Sequence, residues 1–284
     1  MTAVAERRTI CIRMEALDGT IARVAPQYPQ DLTMSNGAVY LGGQFTTTST
    51  RSEVIDGGAS NIDIGFTDST DTATRAEIES GKWDNASVYE FATDWANPVE
   101  DEEEINLYTL GKVEDVDGVY TVQMMGLKDK LNQATGRKYA PSCLWTFADS
   151  HLDTGIIATD KSRCKLSAAS FTVSGTITSV TSAEEFADSA RGETDDYFGS
   201  GEIVFTSGLN TGLSRRNVKS FSGGAIKTNA PFYYLPQVGD SYTMIAGCRK
   251  RGKEDCTGKF SNRKRFGGFS YVPTRSQVTK FGSQ

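Results

Sequence analysis

The chain has 284 residues, a formal net charge of -6, 38% hydrophobic and 10% aromatic residues, which allows about two domains with sizeable cores and excludes a disordered chain. The acidic total excludes a general nucleic-acid binder, which presents a basic domain. No apolar run approaches the ~18 residues of a membrane-spanning helix, and the start MTAVAERRTICIRMEALDG lacks the apolar stretch of a signal peptide, so a soluble product made in a cytoplasm is expected.

Glycine is abundant and Ser/Thr runs recur (TTTSTRS, SGTITSVTS), a mixture that favours short strands joined by turns. In chain order, RRTICIRMEA, GTIARVA, GAVYLGGQFTTT and NIDIGFT read as strands by alternation and β-branched content. TRAEIESGKW predicts one short helix closed by Gly81. SVYEFATDW follows as a strand, then INLYTLGKVEDVDGVYTVQMMG as a hairpin with Asp117 and Gly118 in its turn. LKDKLNQATGRKY predicts a brief helix ending near Gly136. The pattern changes around Tyr139-Ala140-Pro141, which places a domain boundary between 140 and 141. Beyond it, runs at 171–180, 202–206, 215–221 and 242–246 predict a small antiparallel β unit, with SGLNTGL and VGDS as turns. The expected fold class is mainly β with a few short helices (α+β): a β-rich, barrel-like domain over residues 1–140 followed by a small antiparallel domain over 141–284.

Several chemical patterns dissolve on inspection. GCRKRGKE at 247–254 nearly spells a phosphate-binding loop. It ends in Glu254 where a hydroxyl belongs, and no helix pattern follows it. His151, the single histidine, lies among Asp149, Ser150 and Asp153, but no G-x-S-x-G elbow accompanies it. It reads as a loop histidine, with metal ligation the other option. The acidic run at 100–104 lacks the spacing of a calcium loop and reads as a solvated face or linker. No placed acid/base pair exists, so no catalytic residue is assigned and an enzyme is not expected.

Five cysteines remain. Cys11 lies in an alternating strand-like run and reads as a buried small hydrophobe. The others are spaced Cys143-x20-Cys164 and Cys248-x7-Cys256, which matches neither a zinc ribbon nor a ferredoxin run. Each sits in a polar, turn-like segment, where ligands sit and core thiols do not. Eight Lys/Arg lie between Cys248 and Arg265; near the thiols they are expected to favour thiolate and offset the charge of a thiolate-ligated centre. A metal or cluster is therefore favoured over buried reduced thiols, with a disulfide possible in an oxidising medium.

The ending AGC…C…KFSNRKRFGGFSYVP resembles that of the tail-tip hub proteins of long-tailed phages, a family that includes the minor tail protein L of lambda-like phages and the baseplate hub of gene transfer agents. The residues that carry the likeness are Cys256, Phe260, Asn262, Phe266, Gly267, Gly268 and Phe269. GFTDSTDTATRAEIESGKWDNASVYEFATDWANP, LYTLGKV, GLKDKLNQATGRKYAPSC and RCKLSAASFTVSGTITSV extend it, in the same order, over nearly the whole chain. The resemblance implies a structural hub of a phage tail tip or baseplate, assembled in the host cytoplasm and carried in the virion. It implies a homotrimer between the distal tail protein and the central tip or fibre protein, near the C-terminus of the tape measure protein. It also implies an iron–sulfur cluster, [4Fe-4S], held by Cys143, Cys164, Cys248 and Cys256, with zinc as the alternative. The spacer after Cys143 is longer than the family's and contains His151, a possible alternative ligand. Cys164 is preferred because SRCKLSAASFTVSGT matches around it. The cluster would staple the loops at 143–164 and 248–256 in a domain with little core. The rival readings are a redox-active or oxidant-sensing iron–sulfur protein and a tail-associated hydrolase.

Overall fold

The computed structural model describes residues 7–43, 45–48, 61–67, 75–116, 119–126, 139–150 and 163–271, and the chain divides into two compact units, Met1–Thr135 and Gly136–Gln284. Strand alternation organises the first. In β1 (Arg8–Glu15) successive side chains point to opposite faces of the sheet. Cys11 faces one core with Tyr40 and Phe91, and Ile12 faces another with Val24, Val88 and Leu110. A strand buried on both faces belongs inside a sheet. β1 pairs antiparallel with β2 (Ile21–Ala25) on one side and β7 (Ser87–Asp94) on the other.

The remaining strands are β3 (Leu32–Thr33), β4 (Val39–Gly42), β5 (Phe45–Thr48), β6 (Asn61–Thr67), β8 (Glu103–Val116) and β9 (Val119–Gly126). The sheet order is β3-β4-β2-β1-β7-β8-β9-β6-β5. It is antiparallel except between β2 and β4. The order has two ends, so the described strands form an open nine-stranded sheet instead of the closed wall that a barrel requires. The mainly-β expectation holds. The helix α1 (Arg75–Glu79) forms where TRAEIESGKW predicts it, and Gly81 follows at φ +77, a left-handed conformation suited to glycine. Val116 pairs with Val119 as the predicted hairpin requires. Asp117, Gly118 and the predicted helix at 127–138 lie outside the described residues.

The acidic run at 100–104 is structural here. Glu100 accepts hydrogen bonds from the Tyr40 hydroxyl (2.6 Å), Asn36 Nδ2 (2.6 Å) and Arg23 Nε (3.1 Å). Asp101 binds the Arg13 guanidinium at 2.6 Å, and that guanidinium lies over the Tyr89 ring. Glu102 accepts from Thr93 Oγ1, and Glu103 pairs with Arg8. The run therefore latches onto β1, β2 and β7. Burial works against ionisation of Glu100, but the bonds from Tyr40, Arg23 and Asn36 outweigh it and hold the carboxyl below the usual range.

The second unit is a seven-stranded sheet of β10 (Thr172–Thr176), β11 (Ser179–Val180), β12 (Glu185–Ala187), β13 (Glu202–Phe205), β14 (Arg216–Ser222), β15 (Ala225–Thr228) and β16 (Ser241–Ile245). Its order is β10-β16-β13-β14-β15-β12-β11, and every pair is antiparallel. The four predicted runs all fall on strands. β12 and β15 were not expected, because three or four residues are too few to display a period. Phe186 and Ile226 pair in register there and are fully buried.

The expectation of a domain with little core is corrected by this sheet. Phe186, Phe205 and Phe232 pack with ring centroids 4.7 to 6.1 Å apart. Tyr242 is fully buried and donates to Asp188 at 2.8 Å. The sheet needs no staple to hold its centre; the cysteine-bearing segments lie outside it.

Glu100 supplies the first prediction. Its folded pKa lies below its unfolded value of about 4.3, so its contribution is full above that value and is lost as pH falls through the folded one. Glu100→Gln should lower the melting temperature of the first unit at pH 7 and flatten its decline on acidification. Glu100→Ala should cost about 2 kcal/mol, because it strands the hydroxyl of the buried Tyr40 and the half-buried Arg23. Thermal denaturation across pH reads both; a variant with the wild-type pH slope would contradict the assignment.

Candidate metal centre

The pairing of β10 with β16 brings the cysteines together. Thr172 lies opposite Ile245 in that ladder, and Ala246 N–H donates to the Phe171 carbonyl at 2.9 Å. The chain entering β10 and the chain leaving β16 therefore emerge side by side. The first carries Cys164 and the second Cys248, although the two are far apart in sequence. A third segment joins when Cys143 N–H donates to the Lys250 carbonyl at 2.9 Å. A small aromatic cluster underlies the three: Phe147 packs on Phe260 at 4.6 Å, and Phe260 meets Phe171 edge-on at 5.1 Å.

Each cysteine has its own local device. Asp149, 2% exposed, receives backbone N–H bonds from Arg163 (2.8 Å), Cys164 (3.1 Å) and Lys165 (2.8 Å), which shape the Cys164 turn around one carboxylate. Burial opposes ionisation of Asp149, and these three bonds overcome it, holding the carboxyl below its usual range. Cys256 sits in a π-helical segment, Gly252–Lys259, where the absence of a helix pattern had been expected to continue past Gly252. Cys256 N–H donates to the Arg251 carbonyl and Phe260 N–H to that of Asp255, each five residues back. Such wide turns mark functional sites. Asp255 fixes the start of this segment, accepting the Arg251 backbone N–H at 2.9 Å and pairing with its guanidinium.

Strain gathers here as well. Lys165, next to Cys164, and Lys250, two residues after Cys248, both adopt positive φ, as do Ala148 and Ser261. Non-glycine residues hold such angles only when their surroundings enforce them. The diglycine has a steric reason: a Cβ on Gly267 would lie 2.1 Å from Trp145 Nε1, and one on Gly268 would lie 2.6 Å from the Pro141 carbonyl oxygen. Only glycine admits that approach.

Donors face three of the sulfurs. Gly267 N–H points at Cys143 Sγ (3.3 Å), Asn262 Nδ2 at Cys164 Sγ (3.7 Å), and the Lys250 backbone N–H at the Cys248 thiol. Burial first, and then the charges of Cys143, Cys248 and Cys164, together raise the Cys256 thiol to about 11, so all four sulfurs share one electrostatic neighbourhood. Burial also raises Cys248, with Lys250 pulling the other way.

At Cys248 the nearby lysine favours thiolate in the expected direction, and burial outweighs it. Four of the eight Lys/Arg side chains between Cys248 and Arg265 also have partners of their own: Arg249 pairs with Asp196, Arg251 with Asp255, Lys259 donates to the Gly247 carbonyl, and Lys250 Nζ to that of Trp145. Four thiols gathered where burial opposes ionisation of Cys248 and Cys256 fit a metal or cluster in donor type and number. Among the described residues, no three His, Cys, Asp or Glu side chains close tightly enough for a single metal ion. His151 lies outside the described residues. Cys11 is fully buried in the first unit, its thiol pushed up to about 12 by burial, as a small hydrophobe would be.

Sequence reasoning assigned no role to Asp149, Asn262 or the diglycine. Asp149 had been noted only as a neighbour of His151. The signal lay in the pairing of a short polar residue with a turn, Asp149 beside one cysteine loop and Asn262 just past Cys256.

Residues 5–151 match the family profile described as baseplate hub protein, N-terminal attachment domain, and residues 196–276 match one described as phage conserved hypothetical protein BR0599. No curated protein matches the chain. Among solved structures, a chain of the virion of a native gene transfer agent particle has the same fold. It superposes with a TM-score of 0.75 at 22% identity, over 95% of this chain and 90% of that one.

The packing of the diglycine predicts that Gly267→Ala costs about 1–3 kcal/mol of second-unit stability by overpacking against Trp145. Gly192→Ala, at a position where a Cβ meets nothing within 4 Å, should be near neutral. Denaturant unfolding of the two variants checks this; equal stability would contradict the close approach.

Proposed function

The chain belongs to the baseplate hub protein family, and from that premise we propose that it is a structural hub of a phage tail tip or baseplate whose second unit carries an iron–sulfur cluster. The family supports assembly as the task, with no turnover of substrate. The finer placement follows from the family resemblance: a homotrimer around the tail axis, between the distal tail protein and the central tip or fibre protein, beside the tape measure C-terminus, built in the host cytoplasm and retained in the virion.

The observation that carries the cofactor reading is the convergence of Cys143, Cys164, Cys248 and Cys256 from three segments onto one neighbourhood with N–H donors facing the sulfurs. Four thiolates are the donor set of a [4Fe-4S] cluster, and zinc is the alternative for a four-cysteine set. When bound, the cluster would supply cross-links between loops that the sheet core does not reach. The residues supply the rest: the backbone turns aim the sulfurs, and the N–H groups offset their charge. In the basic segment from Arg249 onward, Arg249, Lys250, Arg251 and Lys259 are committed to local contacts.

Protein purified anaerobically should be brown and contain iron and acid-labile sulfide in equal amounts, and Cys248→Ser should lose both together with second-unit stability. Zinc without colour or sulfide would select the alternative. Four free thiols and no metal would sink the cofactor reading while leaving family membership intact. Native mass spectrometry tests the trimer separately, and a monomer at assembly concentrations would count against it.

A further inference from the structure

Asn262 is not a ligand, yet it touches two of the four cysteine segments at once. Its backbone N–H donates to the Cys256 carbonyl at 2.5 Å, and its side-chain Nδ2 donates to the Cys164 carbonyl at 2.8 Å. A carbonyl oxygen only accepts, so the NH₂ end of the amide must face Cys164. The same nitrogen then lies 3.7 Å from Cys164 Sγ. The Asn262 carbonyl in turn accepts from Arg265 N–H at 3.0 Å, which closes the short 3₁₀ turn Arg263–Arg265 and holds the residue from its other side. Cys164 and Cys256 lie far apart in the chain, and one half-buried amide fixes their separation.

We infer that Asn262 is a positioning residue of the four-cysteine site, setting the Cys164 sulfur against Cys256 and donating an N–H to that sulfur. This rests on the cluster reading for its electronic consequence, but not for its geometry. A hydrogen bond to a ligating sulfur draws electron density from it, which makes reduction of an iron–sulfur centre easier. Losing the donor leaves the sulfur richer in charge and the potential lower. A carboxylate in its place adds negative charge beside the sulfur and lowers the potential further. Aspartate matches asparagine in shape but, when ionised, donates nothing. The pair Asn262→Ala and Asn262→Asp therefore separates lost packing from the lost donor.

The test compares wild type, both variants and Thr257→Ala, which removes an exposed hydroxyl from the same π-helical segment, one that donates only to the Gly252 carbonyl. Two readouts are taken on anaerobically purified protein. The first is iron and sulfide content with the reduction potential. The expected order of potential is wild type and Thr257→Ala together, then Ala, then Asp; iron loss from both Asn262 variants alone would support the same conclusion. The second is the alkylation rate of each cysteine by iodoacetamide, mapped by mass spectrometry before and after chelation. Cys164 should react several-fold faster in the Asn262 variants, with Cys143 unchanged. Unaltered potential and unaltered Cys164 reactivity would overturn the inference, as would a uniform rise at all four cysteines, which is the mark of lost fold. If wild type holds neither iron nor sulfide, the cluster reading fails. The Cys164 alkylation rate after chelation then still decides the role of Asn262.

Discussion

Bringing four thiols into one small volume sets the terms for the second unit. Burial and neighbouring thiol charge both oppose ionisation of Cys256 and Cys248, so the chain must bring the four together by means other than thiol chemistry. It does so by concentrating costly features around them. Positive φ at Lys165 and Lys250, a π-helical segment and two glycines against Trp145 and Pro141 all lie in the same region. Strain of this kind persists only where neighbouring structure over-determines it. Here the neighbour is the β10–β16 ladder, whose shared end fixes where the two principal segments start.

The sheet and the cysteine region therefore divide the work. The sheet holds itself through an aromatic core and the buried Tyr242–Asp188 bond. The cysteine region relies on a three-ring cluster and a web of backbone and side-chain hydrogen bonds. Half of the basic residues between Cys248 and Arg265 are bound to local acids and carbonyls. Asp196 and Asp255 are the acids that pair with Arg249 and Arg251.

The first unit meets a related problem with opposite charges. Consecutive acids from Glu100 to Glu103 would repel one another in a free linker. Arg8, Arg13 and Arg23 on β1 and β2 receive them, and Tyr40 and Asn36 complete the shell around Glu100. The acidic run is thereby converted from a solvated stretch into a clasp across the centre of the nine-stranded sheet.

The sequence by itself determined the mainly-β class, most of the longer strands, the helix closed by Gly81 and the buried fate of Cys11. These depend on period, turn chemistry and local propensity, which neighbours in the chain carry. It also singled out the four cysteines, because four thiols in polar turns are chemically unusual wherever they fold. Only the tertiary structure decided that the first sheet stays open, that the second unit has a full core, and that strands as short as β12 and β15 exist, since each depends on partners distant in sequence. Only it revealed that Arg249 and Arg251 pair with Asp196 and Asp255, that Glu100 is a clasp, and that Asn262 spans Cys164 and Cys256. Hydrogen bonds and ion pairs between residues far apart in the chain leave no periodicity along it, so their physical cause becomes visible only once the fold has set the distances.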